Sequence, residues 1–260
     1  MMKSGAVDHR WLVQQLAAGG CVAPKEEAAE LIRAAAEGSR PLEELVARRL
    51  GGEPLAWITG FVHFCGLRVR VDPGVYVPRP HTQALARRAA SLLPSAGIGV
   101  DLCTGSGAVA AVLVAAERGA TVFATDVDPA AVACARRNGV RALQGSLDEP
   151  LAESIRGRVE VMTAVVPYVP AEELHLLPRD VLAHEPRQAL DGGPGGTMFL
   201  EQVARLSAGW LAPGGHVLIE LGGDQAGAIA ETLESAGLSD IRAHRDEDGD
   251  DRAVEGRYPG

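Results

Sequence analysis

Apolar residues recur at helical spacing from Asp8 to about Leu50: Trp11, Leu12 and Leu16, then Ala28, Leu31 and Ile32, then Leu42, Leu45 and Val46. Gly19-Gly20 and the segment from Gly38 to Pro41 interrupt them, so the pattern predicts a compact helical unit. Between Ala56 and Val71 the chain shifts to β-branched and aromatic residues around Gly60 and Gly66, the pattern of a hairpin or extended linker. Three parts follow: residues 1–55 as a helical domain, 56–75 as a linker hairpin and 76–260 as a larger domain.

In the larger part strand-like and helical runs alternate. Residues 97–103, 121–126, 159–166 and 216–221 read as strands, while 108–119, 129–139 and 198–211 read as helices. This βα alternation predicts a parallel sheet covered by helices on both faces. Gly214-Gly215 is expected to form the turn into the strand 216–221, and residues 237–258 to add two final strands. The acidic run Asp246 to Asp251 then caps their hairpin as a solvated tip rather than a metal site.

Composition narrows the setting. No run approaches the ~18 apolar residues of a membrane span, and Asp8, His9 and Arg10 interrupt the start too early for a signal peptide, so a cytoplasmic location is expected. Cys21, Cys65, Cys103 and Cys134 have no metal-ligand spacing and are expected to be reduced, mostly buried thiols. A net charge of −9 with few lysines offers no footprint for nucleic acid and suits a cationic cofactor or a protein partner. A monomer is the expected state.

The sharpest local signal is Asp101-Leu102-Cys103-Thr104-Gly105-Ser106-Gly107, between a strand and a helix. Such a turn presents backbone N–H groups and admits a ligand where a Cβ would clash. Its glycine spacing also fits dinucleotide binding, which keeps an NAD-dependent oxidoreductase open as an alternative. Asp101 separates the two: ahead of the glycines it would repel a pyrophosphate but attract the ammonium of a methionine moiety. Asp126, at the end of the next strand, can accept hydrogen bonds from both ribose hydroxyls. S-adenosyl-L-methionine is therefore the expected cofactor.

Further stretches carry a resemblance that runs along the chain. They are Gly52-Glu53-Pro54-Leu55-Ala56-Trp57-Ile58-Thr59-Gly60, Phe64-Cys65-Gly66-Leu67 and Val77-Pro78-Arg79-Pro80-His81-Thr82-Gln83, followed by Asp126-Val127-Asp128-Pro129. Pro167-Tyr168-Val169-Pro170, the segment Glu185 to Gly193, and Leu211-Ala212-Pro213-Gly214-Gly215-His216 complete the series. In this order they resemble the release-factor glutamine methyltransferase family (HemK/PrmC type). The resemblance implies an α/β fold of the class I S-adenosylmethionine-dependent methyltransferase type, with a Rossmann-like seven-stranded sheet. It also implies a five-helix N-terminal bundle that helps dock a protein substrate. On this reading Arg79, Asp101, Cys103, Thr104, Gly105, Ser106, Gly107, Asp126, Val127, Ser146, Leu147 and Val165 bind the cofactor.

The catalytic loop departs from the family. Val165-Val166-Pro167-Tyr168 stands where the family has Asn-Pro-Pro-Tyr, whose asparagine side chain and following carbonyl hold a glutamine amide. His81 and Gln83 stand where acidic residues are usual, and Gln144 to Leu147 lacks the aspartate that often lies beside the adenine. The candidate catalytic residues are Val165, Pro167, Tyr168 and His81, with His81, Tyr168 or His184 as a base. A protein substrate of release-factor type, a redirected small-molecule acceptor and a cofactor-binding protein without transfer activity all remain open.

Overall fold

The computed structural model describes residues 9–38 and 40–260, apart from the side chain of Arg179; Met1 to Asp8, part of the sequence reading of the N-terminus, lie outside them. The N-terminal unit comprises α1 (His9–Ala18), α2 (Pro24–Glu37), α3 (Leu42–Leu50) and α4 (Leu55–Thr59), four helices among the described residues where the resemblance implies five. Leu12, Leu16, Ala28, Leu31, Leu45 and Ile58 form its core, and buried Glu27 of α2 accepts from Arg49 of α3 at 2.6 Å. Helix α4 corrects the extended reading of residues 56–59. Pro54 precedes its first residue without a side-chain capping bond, and Gly60, at φ 82°, closes it in the left-handed region.

The hairpin pairs β1 (Phe61–Phe64) with β2 (Leu67–Arg70) across Cys65-Gly66, both with positive φ, as a tight two-residue turn requires. Asn138 holds it to the larger domain by accepting from the Arg70 amide at 2.8 Å and donating to the Arg70 carbonyl at 2.9 Å.

The large sheet contains β3 (Ile98–Leu102), β4 (Thr121–Asp126), β5 (Arg141–Gln144), β6 (Val159–Ala164), β7 (Leu211–Glu220), β8 (Ser239–Arg245) and β9 (Asp251–Arg257). Their order is β5-β4-β3-β6-β7-β9-β8. The first five are parallel, and β9 lies antiparallel between β7 and β8, so the sheet is mixed rather than all parallel. A short return between β8 and β9 leaves no room for a crossover helix, so that pair must be antiparallel.

Helices α5 (Thr82–Leu92), α6 (Ala108–Ala116) and α7 (Pro129–Arg137) cover one face, and α9 (Met198–Trp210) and α10 (Ala226–Ser235) the other. A short α8 (Arg179–His184) lies in the long loop after β6. Along β7 the period of two is visible in the packing, because Val217 and Ile219 enter one core and Leu218 the other. Gly214, at φ 84°, and Gly215 lie within the range of β7, in the irregular stretch where the pairing with β6 passes from Val159–Leu211 to Val161–His216. Among the cysteines Cys134 is buried and the other three are half-buried, all as free thiols, which corrects the expectation that most are buried. No described helix is long and apolar enough to cross a membrane.

One buried carboxylate joins α5 to the antiparallel edge. Glu255 of β9 accepts both Arg88 nitrogens at 2.8 Å, His216 of β7 at 3.0 Å and His244 of β8 at 2.9 Å. Burial alone would raise its pKa, but the bonds from His244 and Arg88 and the charge of His216 outweigh it and hold the carboxyl well below the usual range. A depressed folded pKa gives stability that is complete at neutral pH and lost as pH falls below the ordinary glutamate value of about 4.3. Glu255→Gln is expected to cost about 1–3 kcal/mol at pH 7 and to flatten the acid limb of stability, read by urea unfolding between neutral and acid pH.

Candidate active site

Strand β3 ends at Leu102, and the chain turns through Cys103, Gly105 and Gly107, with φ of 54°, 56° and 81°. A Cβ built on Gly105 meets no atom within 4 Å, whereas one on Gly107 would lie 2.9 Å from the Ala135 side chain. Gly105 therefore faces open space, and Gly107 lets α6 approach α7 instead of lining the groove. The turn is held from β4. Asp126 accepts from the Gly105 amide at 2.8 Å through one oxygen and from the Asp128 amide at 2.9 Å through the other.

Asp101 is 1% exposed and accepts from the Thr104 hydroxyl at 2.6 Å and the Thr163 hydroxyl at 2.7 Å. Burial pushes its pKa up to about 6 against the pull of those hydroxyls, and burial likewise raises Asp126. Neither carboxylate has a cationic hydrogen-bond partner among the described residues, so a cation placed beside Asp101 would relieve its desolvation. This donor set fits S-adenosylmethionine: Asp101 for the ammonium, Asp126 for the ribose hydroxyls, and open space over Gly105.

Two lobes of one groove meet here. Cys103, Gly105, Asp126, Val127 and Pro167 line the first; Asp101, Thr104, Gly105 and Ser106 line the second; Tyr76 and Val165 wall both. Burial raises the Cys103 thiol, followed by the charges of Asp126 and Asp101, so it packs as a neutral group. Besides Gly107, three expected cofactor residues lie off this lining. Leu147 packs into the core around Trp210, and Ser146 is exposed at the turn held by Glu149. Arg79 donates to buried Glu185 at 2.7 Å and lies over the Tyr76 ring at 4.7 Å, which turns it into a neighbouring cavity.

That neighbour, of about 360 Å³, shares Tyr76 and Val165 with the groove and is largely apolar through Val166, Val169, Leu177 and Leu190. His81 and Tyr168 reach it, and both contact Glu220 at the end of β7, at 3.3 Å and 3.4 Å. Burial, with the Glu220 charge adding to it, pushes Tyr168 up, and burial pushes Tyr76 up to about 12. Both phenols thus stay protonated at neutral pH, and Tyr168 donates to Glu220. His184 is not part of the cavity: its Nδ1 lies 3.0 Å from the Asp180 carbonyl, and its ring meets the Trp57 edge.

Sequence reasoning missed Tyr76, Glu220 and Gln225. Gln225 donates to the carbonyls of Tyr168 at 2.9 Å and Gly195 at 3.2 Å, clamping the loops after β6 and before α9. The available signal for Glu220 was a carboxylate closing an apolar strand, as Asp101 and Asp126 do. A second cavity of about 360 Å³ lies between the helical unit, the hairpin and α8, and shares Arg79 and Val181 with the first.

No protein-family model matches the chain. It is 36% identical over 219 residues to the release factor glutamine methyltransferase of Geobacter sulfurreducens, covering 82% of this chain and 76% of that protein. It is 36% identical over 253 residues to the protein of the same name from Moorella thermoacetica, covering 86% and 88%. Among solved structures, a methyltransferase from Pyrococcus furiosus matches with a TM-score of 0.56 and 21% identity over 75% of this chain and 90% of that one, a likeness of fold. These likenesses favour neither the dinucleotide alternative nor a binder without transfer activity. With identity sustained over most of both chains, this protein belongs to the release factor glutamine methyltransferase family and is an S-adenosyl-L-methionine-dependent methyltransferase.

Proposed function

We propose that the protein methylates the side-chain amide nitrogen of a glutamine in a protein substrate of release-factor type. The observation that carries this reading is the shared wall of Tyr76 and Val165, which sets the acceptor cavity directly against the groove of Asp101, Gly105 and Asp126. The second cavity supports a polypeptide acceptor, because it continues from Arg79 and Val181 toward the helical unit and is lined by Glu30, Arg49 and Asp180 as well as apolar groups. S-adenosyl-L-methionine, when bound, supplies a methyl group already activated by its sulfonium. The protein then has to orient the acceptor, exclude water and receive a proton.

In this reading Asp101 and Asp126 hold the donor, Tyr76, Val165 and Pro167 shape the passage, and the Gln225 clamp fixes the loop carrying Tyr168. A small apolar acceptor is a second reading, favoured by the valine and leucine lining. Transfer of labelled methyl to a release-factor fragment bearing Gly-Gly-Gln, compared with small-molecule extracts, decides between them. Labelling of the extract alone would overturn the first.

Two outcomes follow. Asp101 is raised to about 6 when no cation lies beside it, so a ligand ammonium favours its ionised form. Binding of S-adenosylhomocysteine should therefore weaken as pH falls through about 6, and calorimetry on Asp101→Asn should show weaker binding without that dependence. Val165 has no side-chain acceptor for an amide N–H, so Val165→Asn should raise kcat/KM on the Gly-Gly-Gln fragment by about tenfold through better alignment.

A further inference from the structure

Glu220 is 1% exposed at the end of β7, and its second carboxylate oxygen has no hydrogen-bond partner. A carboxylate in that position is costly unless a cation can be formed beside it. Its two hydrogen-bonding neighbours among the described residues are His81 at 3.3 Å and Tyr168 at 3.4 Å, and the Tyr168 hydroxyl also lies 3.5 Å from the same imidazole nitrogen. The nearby guanidinium of Arg79 is engaged by Glu185 and cannot replace them.

The imidazole has one face toward each environment. Its Nε2 lies against Glu220, while the ring, 29% exposed, borders the acceptor cavity. With Nε2 donating its hydrogen to the carboxylate, Nδ1 carries the lone pair. Of the other polar side chains on this cavity, Tyr76 and Tyr168 hold their protons and Arg79 has no lone pair to offer.

We propose that His81 and Glu220 form a proton-accepting dyad for the acceptor: His81 Nδ1 takes the proton that the methylated nitrogen releases, and Glu220 is a positioning residue that fixes the tautomer and balances the imidazolium. The inference rests on the amide reading above. In the step, the acceptor nitrogen forms its bond to the methyl carbon as the carbon–sulfur bond breaks, leaving that electron pair on sulfur. The positive charge moves to nitrogen, and loss of one N–H proton to Nδ1 leaves a neutral methylamide. The exposed edge of the ring then returns the proton to solvent.

The test uses the full chain. In the free protein at pH 8, imidazole 15N NMR should show His81 with Nε2 protonated and Nδ1 unprotonated, and Glu220→Gln should mix the tautomers; a protonated Nδ1 in the parent protein overturns the dyad. On the Gly-Gly-Gln fragment, His81→Ala should lower kcat about 10²-fold with KM within threefold and remove the acid limb of kcat against pH. The charged and titratable groups facing His81 are Glu220 from β7, Tyr168 from the loop after β6, and Tyr76 and Arg79 from the approach to α5, so that limb should persist in Tyr168→Phe. Unchanged kcat, or an acid limb that survives in His81→Ala, overturns the proposal. His81→Gln, which retains a donor toward Glu220, gives the same reading should the alanine variant not fold. A parent protein that labels no peptide overturns the amide reading and the transfer step built on it, while the spectrum of the free protein still upholds or overturns the tautomer.

Discussion

The Gly105 amide donates to Asp126 at 2.8 Å, tying the carboxyl end of β3 to that of its parallel neighbour β4. The Gly105 amide lies in a turn with three positive φ angles in five residues, outside both the sheet ladder and the helix, so its N–H needs a partner from elsewhere. The carboxylate supplies one, and in doing so it holds a strained turn open toward the groove instead of letting it collapse on the sheet. Asp101, 1% exposed beneath the same turn, is fixed by hydroxyls from the turn itself and from β6. Parallel register then places residues 101, 126 and 165 together at the carboxyl ends of three adjacent strands, where an open α/β fold binds its ligands.

The polar and apolar sides of the site divide the chemistry. The groove beside Gly105 has two carboxylates whose charged forms are penalised by burial, so it is built for a cation. The adjoining cavity has valine and leucine walls, with one imidazole backed by a buried carboxylate. A reaction that begins with a sulfonium and ends with a released proton suits that division, because positive charge passes from one compartment to the other. Tyr76 and Val165, common to both, are where any change of acceptor would be felt first.

Residues distant from the site hold its geometry. Gln225 binds the carbonyls of Tyr168 and Gly195 and accepts the Gly222 amide, so three loop segments share one side chain. Glu255 gathers Arg88, His216 and His244, which anchors α5 against the antiparallel edge. Because α5 begins at Thr82, that anchor also bears on where His81 sits, one residue before the helix.

Local pattern by itself determined the helical unit, the hairpin with its Gly66 turn, the βα alternation and the glycine turn flanked by Asp101 and Asp126. Each of these depends on spacing within a few residues, which a periodicity or a turn chemistry records directly. Helix α4 escaped because five residues are too few to establish a period, and the place of β9 between β7 and β8 escaped because strand order is not a local property. Arg79 and Gly107 were assigned to the cofactor from their motifs, yet Glu185 and Ala135, distant in sequence, decide which way each one faces. His81 shows the same limit: sequence offered three candidate bases, and only the folded chain sets Glu220, 139 positions from His81, against both His81 and a Tyr168 phenol that burial keeps protonated, while turning His184 toward Asp180 and Trp57. Side-chain partners of this kind are chosen by register and packing across the sheet, and no window along the chain contains them.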